Sequence, residues 1–186
     1  MKLPDPDAER PWRTDPDYNK VREVIRGTVM MSPRPAPLHA LVASNLSMML
    51  GPPFHKGNGG PGGWWLLFEP ELHLGAEELA PDLAGWRRER LPSLPKTAYF
   101  ALAPDWVCEV LSPSTEEIDR TDKLEIYAEH GVRHLWLAHP VLRTLEVYRL
   151  DPSGSYLLVR NHRGRRVINA EPFDALPLDL GQIWAD

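Results

Sequence analysis

The chain has 186 residues, a net charge of −5, 42% hydrophobic and 25% charged residues, the balance of a soluble globular protein long enough for one ordinary domain. Its single cysteine, Cys108, excludes an internal disulfide and a cysteine-based zinc finger, and no apolar run is long enough to cross a bilayer. The acidic balance argues against a protein that coats nucleic acid by neutralising its phosphates, though not against an enzyme that cuts it.

Residues 1–17, rich in Pro, Asp and Arg, read as a flexible lead without the apolar centre of a secretion signal, so the expected location is cytoplasmic. Residues 18–186 then form the single domain. Apolar and β-branched residues over 21–31, interrupted by Arg26-Gly27, predict a hairpin ending at Ser32-Pro33. Pro33, Pro35 and Pro37 forbid regular structure beyond it. Leu38, Val42, Leu46, Met49 and Leu50 recur at helical spacing, which predicts a helix stopped by Gly51-Pro52-Pro53.

Gly57, Gly59 and Gly62 match the glycine spacing of a dinucleotide-binding loop. That loop needs a strand before it and a helix after it, and here the order is reversed. Alternation over 64–74 predicts one strand, with Trp65, Leu67, Glu69, Glu71 and His73 on one face and Pro70 marking an edge or bulge. Shorter strands are expected over 80–86 and 105–111. Arg87, Arg88 and Arg90 after the first of these, and Arg160, Arg163, Arg165 and Arg166 near the C-terminus, read as solvated loops. Ser114 with Glu117 has the form of a capping box, predicting a second helix that runs to about His130 and ends at Gly131. Strands over 135–139, 145–150 and 156–160 complete an α/β fold, a mixed sheet flanked by helices.

Three residues break their local pattern. Glu109 interrupts Trp106-Val107-Cys108-Glu109-Val110-Leu111, which otherwise reads as a central strand buried on both faces; an ionised carboxylate there needs a cation, a metal or a raised pKa. Lys123 lies within the apolar stripe of the second helix, flanked by Leu124, Ile126, Tyr127 and Ala128, while Asp122, Glu125 and Glu129 lie opposite. Asp82, after Pro81, projects on the face of Ala84 and Trp86. Two converging carboxylates repel each other unless a divalent cation sits between them, and oxygen ligands alone favour Mg²⁺ or Mn²⁺. A lysine beside such an ion can orient water or offset developing negative charge, which is what phosphodiester hydrolysis requires.

Six segments carry a resemblance: Met31-Ser32-Pro33 through His39; Pro70-Glu71-Leu72; Pro81-Asp82-Leu83; Glu109-Val110-Leu111-Ser112-Pro113-Ser114-Thr115; Asp119 with Lys123 and Tyr127; and Gly131-Val132 with Trp136. In this order and spacing, over about residues 18–150, the chain resembles the PD-(D/E)XK nucleases, and within them the Uma-two-type restriction endonuclease family of bacteria. The resemblance implies a restriction-endonuclease-like core with Asp82 and Glu109 as its metal-binding acids. Leu111 stands where the lysine of the general Glu-x-Lys motif would be, and Lys123, on the following helix, fits the place to which the resembled family moves it. His139-Pro140 departs from the usual Asp-Pro pair.

The expected function is therefore a metal-dependent endonuclease acting on nucleic acid, DNA first, with Asp82, Glu109 and Lys123 catalytic. The alternative is a nuclease-fold module that binds nucleic acid or a protein partner without cutting. Glu71 and His39 are accessory candidates, one for the metal and the other for phosphate or proton transfer, and a homodimer is expected from the resemblance and from the general frequency of symmetric dimers. Trp64, Trp65 and Trp86 could stack on bases, but at strand spacing they read first as core.

Overall fold

Arg26 and Gly27 both take left-handed backbone, φ 51° and 76°, the geometry of a two-residue hairpin turn, and join β1 (Lys20–Ile25) to β2 (Thr28–Pro33) as the sequence predicts. This hairpin opens a computed structural model that describes residues 20–185; the expected N-terminal lead lies outside the described residues. α1 (Pro37–Leu50) follows, but Gly51-Pro52-Pro53 does not stop it. The prolines lack the N–H of a normal turn, and the chain continues as a wider π-helical turn, Gly51–Lys56, in which Gly57 donates to the Pro52 carbonyl five residues back.

The predicted strand over 64–74 is two strands in different sheets. β3 (Trp64–Phe68) ends where Glu69 turns left-handed, φ 43°, ahead of Pro70, and β4 (Leu72–Leu74) pairs instead with a short strand absent from the sequence reading, β5 (Glu77–Leu79). β6 (Leu83–Arg87), β7 (Trp106–Val110), β8 (His134–His139), β9 (Thr144–Leu150) and β10 (Tyr156–Arg163) follow, then a small pair, β11 (Val167–Ile168) and β12 (Leu178–Asp179).

The main sheet has the order β10-β9-β8-β7-β6-β3, and β2-β1-β5-β4 form a second. In the main sheet β7 and β8 are parallel and the other neighbours antiparallel, so the connection between β7 and β8 must cross a face of the sheet. It does so through α2 (Glu116–Arg120) and α3 (Asp122–Glu129). These replace the single predicted helix. Thr121 interrupts it, its hydroxyl donating to the Glu117 carbonyl at 2.7 Å in competition with the helical ladder. The capping box also fails: Thr115 holds the N-cap position without a side-chain cap, and the Ser114 hydroxyl bonds to Ser112 instead.

Alternation along β7 divides the core. Trp106, Cys108 and Val110 pack with α1 and the C-terminal segment, while Val107 faces α3 and the second sheet. On the first side Phe173 is the hub of an aromatic cluster, with ring centroids 4.8 to 5.6 Å from Phe54, Trp64, Trp106 and Trp136. β6 carries Gly85 here because a Cβ would stand 2.8 Å from Leu66 and 3.2 Å from both Trp64 and Trp106. Trp64 and Trp86 are thus core residues rather than stacking platforms. Trp65 is covered by Arg88, whose guanidinium lies 3.7 Å over its ring and donates to the Trp64 and His55 carbonyls. Arg90 is paired with buried Asp105 at 2.8 Å, so the arginines after β6 are fastened to the fold and not merely solvated.

Candidate active site

Because residues alternate along a strand, Glu109 shares the face of Val107 and points from β7 toward α3 and the second sheet. Asp82 stands immediately before β6, the antiparallel neighbour of β7, and the ladder brings the two acids together. Asp82 Oδ2 accepts from the Val110 amide at 2.7 Å, and the Asp82 amide points at Glu109 Oε2 at 3.4 Å. α3 places Lys123 above them, with Nζ 3.4 Å from Glu109 Oε1. All three residues singled out in the sequence therefore meet.

Two further acids complete the cluster. Lys123 Nζ lies 3.0 Å from Glu23 Oε1 and 3.2 Å from Asp119 Oδ1, so three carboxylates surround one ammonium. Asp119 belongs to α2, one helical turn before Lys123. Glu23 comes from β1 in the other sheet, and its Oε1 also accepts from the Ala80 amide at 2.9 Å. Sequence reasoning missed Glu23, although the signal was present: alternation through β1 sets it on the inward face with Val21 and Ile25. Tyr127, read there as an apolar flank of Lys123, donates its hydroxyl to Glu109 Oε1 at 2.7 Å.

Glu23, Glu109, Asp119 and Lys123 are each no more than 4% exposed, which governs their charge states. Burial pushes Glu109 up to about 8, with the Asp119, Asp82 and Glu23 carboxylates adding to the effect and Lys123 opposing it. Burial likewise raises Asp119 despite its bonds from Thr115 and Lys123. For Lys123 burial acts downward, but the carboxylates of Glu109, Asp119 and Glu23 overcome it and hold the ammonium well above its ordinary range. Lys123 is consequently a fixed positive charge and not a base.

His39, in the first turn of α1, has Nε2 3.2 Å from Asp82 Oδ2; burial alone would lower its pKa, yet the bond and charge of Asp82 raise it. Glu71 lies farther out. Its carboxylate, 56% exposed, bonds His73 Nε2 at 2.7 Å, and the break in backbone at Glu69 removes it from the predicted strand face. His139 faces Glu116 at 3.7 Å, beside the Arg120–Glu146 ion pair and away from the acids.

The acids form the floor of a cleft of about 530 Å³, with the Pro33–Ala36 segment on one wall and Ser112–Thr115 on another, and Glu71 at the rim. The donor set suits a hard divalent cation. Four carboxylates face one lysine and one histidine, and Asp82 Oδ1 and Glu109 Oε2 keep lone pairs that no short hydrogen bond uses among the described residues. Among the described residues no group of three or more His, Cys, Asp and Glu side chains forms a ready-made metal cage. Mg²⁺ does not need one, since it keeps several waters and takes one or two carboxylates.

The Uma2 family, described as "Putative restriction endonuclease", matches residues 13–181 of the chain. A crystal structure of a putative nuclease belonging to DUF820, from Anabaena variabilis ATCC 29413, is similar in fold: TM-score 0.71, 22% identity, 88% of this chain and 89% of that one covered. No curated protein matches the chain.

Proposed function

Because the chain belongs to the Uma2 family of putative restriction endonucleases, we propose that it is a metal-dependent endonuclease that hydrolyses phosphodiester bonds of nucleic acid, DNA first, within one domain spanning 18–186. The observation that carries the reading is the gathering of buried acids: Glu23, Glu109 and Asp119 converge on Lys123, a permanent cation, and Asp82 stands against Glu109. Carboxylates gathered in this way invite a second cation, because at ~4 Å two of them repel by about 4 kcal/mol at an effective dielectric of roughly 20.

Asp82 and Glu109 would hold Mg²⁺ or Mn²⁺ through their spare oxygens. Such an ion supplies Lewis-acid polarisation of the phosphoryl group and lowers the pKa of bound water. The chain's own residues do the rest. Tyr127 and Lys123 fix one oxygen of Glu109, turning the other toward the cleft. Val110 and His39 fix one oxygen of Asp82 in the same manner. Lys123, locked by three carboxylates, presents positive charge toward the negative charge that grows on the phosphate in the transition state, and needs no reorganisation to do so.

The test is nicking of supercoiled DNA by the purified chain with Mg²⁺ or Mn²⁺, compared with Asp82→Ala. Loss of nicking in a variant that still folds supports the assignment, and undiminished nicking overturns it. A wild-type chain that binds DNA and cuts nothing would favour the binding-module alternative.

A further inference from the structure

A cleft floored by acids repels the phosphates it is to receive, so a cation is needed where the strand enters. Arg34 stands at that point. It lines the cleft from the segment between β2 and α1, its side chain is 53% exposed, and its nearest acid among the described residues, Glu69, is 3.9 Å away, at the outer limit of an ion pair. Arg22 and Lys123, which also line the cleft, are engaged more closely: Arg22 hydrogen-bonds Glu78, and Lys123 lies within 3.4 Å of three carboxylates. The backbone around Arg34 is stiff. Pro33 and Pro35 flank it, and a residue before proline is steered to extended conformations, so the backbone that carries the guanidinium has little entropy left to lose.

The geometry points to Arg34 as a backbone-phosphate contact: it exchanges Glu69 for a phosphate of the strand whose neighbouring phosphodiester reaches Asp82 and Glu109. A guanidinium suits this task because its planar fork can donate twice to one phosphate. The ligand class is the sugar-phosphate backbone of one nucleic-acid strand, read without regard to base. Five residues along the same wall, His39 touches Asp82, so the segment from Pro33 to His39 joins the point of entry to the floor.

This inference rests on the nuclease reading, and the experiment separates the two. The full chain is titrated into a fluorescein-labelled single-stranded 20-mer DNA without divalent metal, at several salt concentrations, and anisotropy is followed. Arg34→Ala should bind about tenfold more weakly at low salt, with a salt slope shallower by about 0.7, the share of one phosphate contact on a single strand. Arg34→Lys should keep the slope. Glu69→Gln, which frees Arg34 from its acid, should bind severalfold more tightly. Wild-type affinity and slope in Arg34→Ala, with plasmid nicking by the wild type intact, would overturn the Arg34 contact and leave the nuclease standing. A wild type that neither binds this DNA nor nicks plasmid would overturn both.

Discussion

Glu109→Gln separates the charge of this side chain from its shape, and the structure sets the sign and size of the effect. Without metal, Glu109 keeps its proton up to about pH 8 instead of the ordinary 4.5, first because it is buried. Between those two values the native protein holds a proton that the unfolded chain has released, so the group's contribution to stability falls as pH rises through this window and is constant above it. One proton gives a slope of about 1.4 kcal/mol per pH unit, hence roughly 2 to 3 kcal/mol between pH 6 and pH 8. Glutamine has no such slope. In urea unfolding with EDTA, the variant should therefore gain on the wild type by that amount as pH is raised from 6 to 8. Adding Mg²⁺ or Mn²⁺ should restore the wild type at pH 8 through binding to the native state alone, while the variant gains little and does not cleave. A stability difference independent of pH would refute the buried proton. Equal stabilisation of both proteins by metal would refute Glu109 as its holder.

Lys123→Met leaves the side chains of Glu23, Glu109 and Asp119 buried without their cation, and urea unfolding at pH 7 should show a loss of about 3 to 5 kcal/mol. His39→Asn removes a group whose raised pKa adds stability in full below its ordinary 6.5 and loses it as pH rises through the higher value, so the variant's deficit should be larger at pH 5.5 than at pH 9. Phe173→Ala empties the centre of the aromatic cluster and should cost about 3 to 5 kcal/mol in thermal or urea unfolding, since four rings cannot all close on the gap.

The parts of the fold that the sequence discloses are those where local pattern and tertiary environment agree. The Arg26-Gly27 hairpin and β7 are of this kind, and so is Glu109, because one acid among residues apolar on both faces has few explanations. Lys123 was legible for the same reason on a helical period, even though Thr121 divides the helix that was predicted. What escaped depends on partners remote in sequence. The alternation through 64–74 continues past Phe68, yet the chain leaves one sheet for another at Glu69, and only the pairing of β4 with β5 reveals it. Glu23 is similar: alternation marks it as inward-facing, but its place beside Lys123 follows from how the second sheet packs, which no local window contains.

The ion cluster has a kinetic consequence that follows from where its members sit in the chain. Asp82 and Glu109 meet through the ladder of adjacent strands β6 and β7, whereas Glu23 meets Lys123 across 100 residues, between the second sheet and α3, a contact whose loop-closure entropy must be met before it is rewarded. The second sheet docks on α3 and the main sheet through apolar packing and the Glu23–Lys123 ion pair rather than through a strand ladder, so its docking is expected to complete late in folding and to be an early step undone on opening. Amide exchange in β1 should then report an opening of lower free energy than exchange in β7, and each such opening would leave Lys123 with one counter-charge fewer.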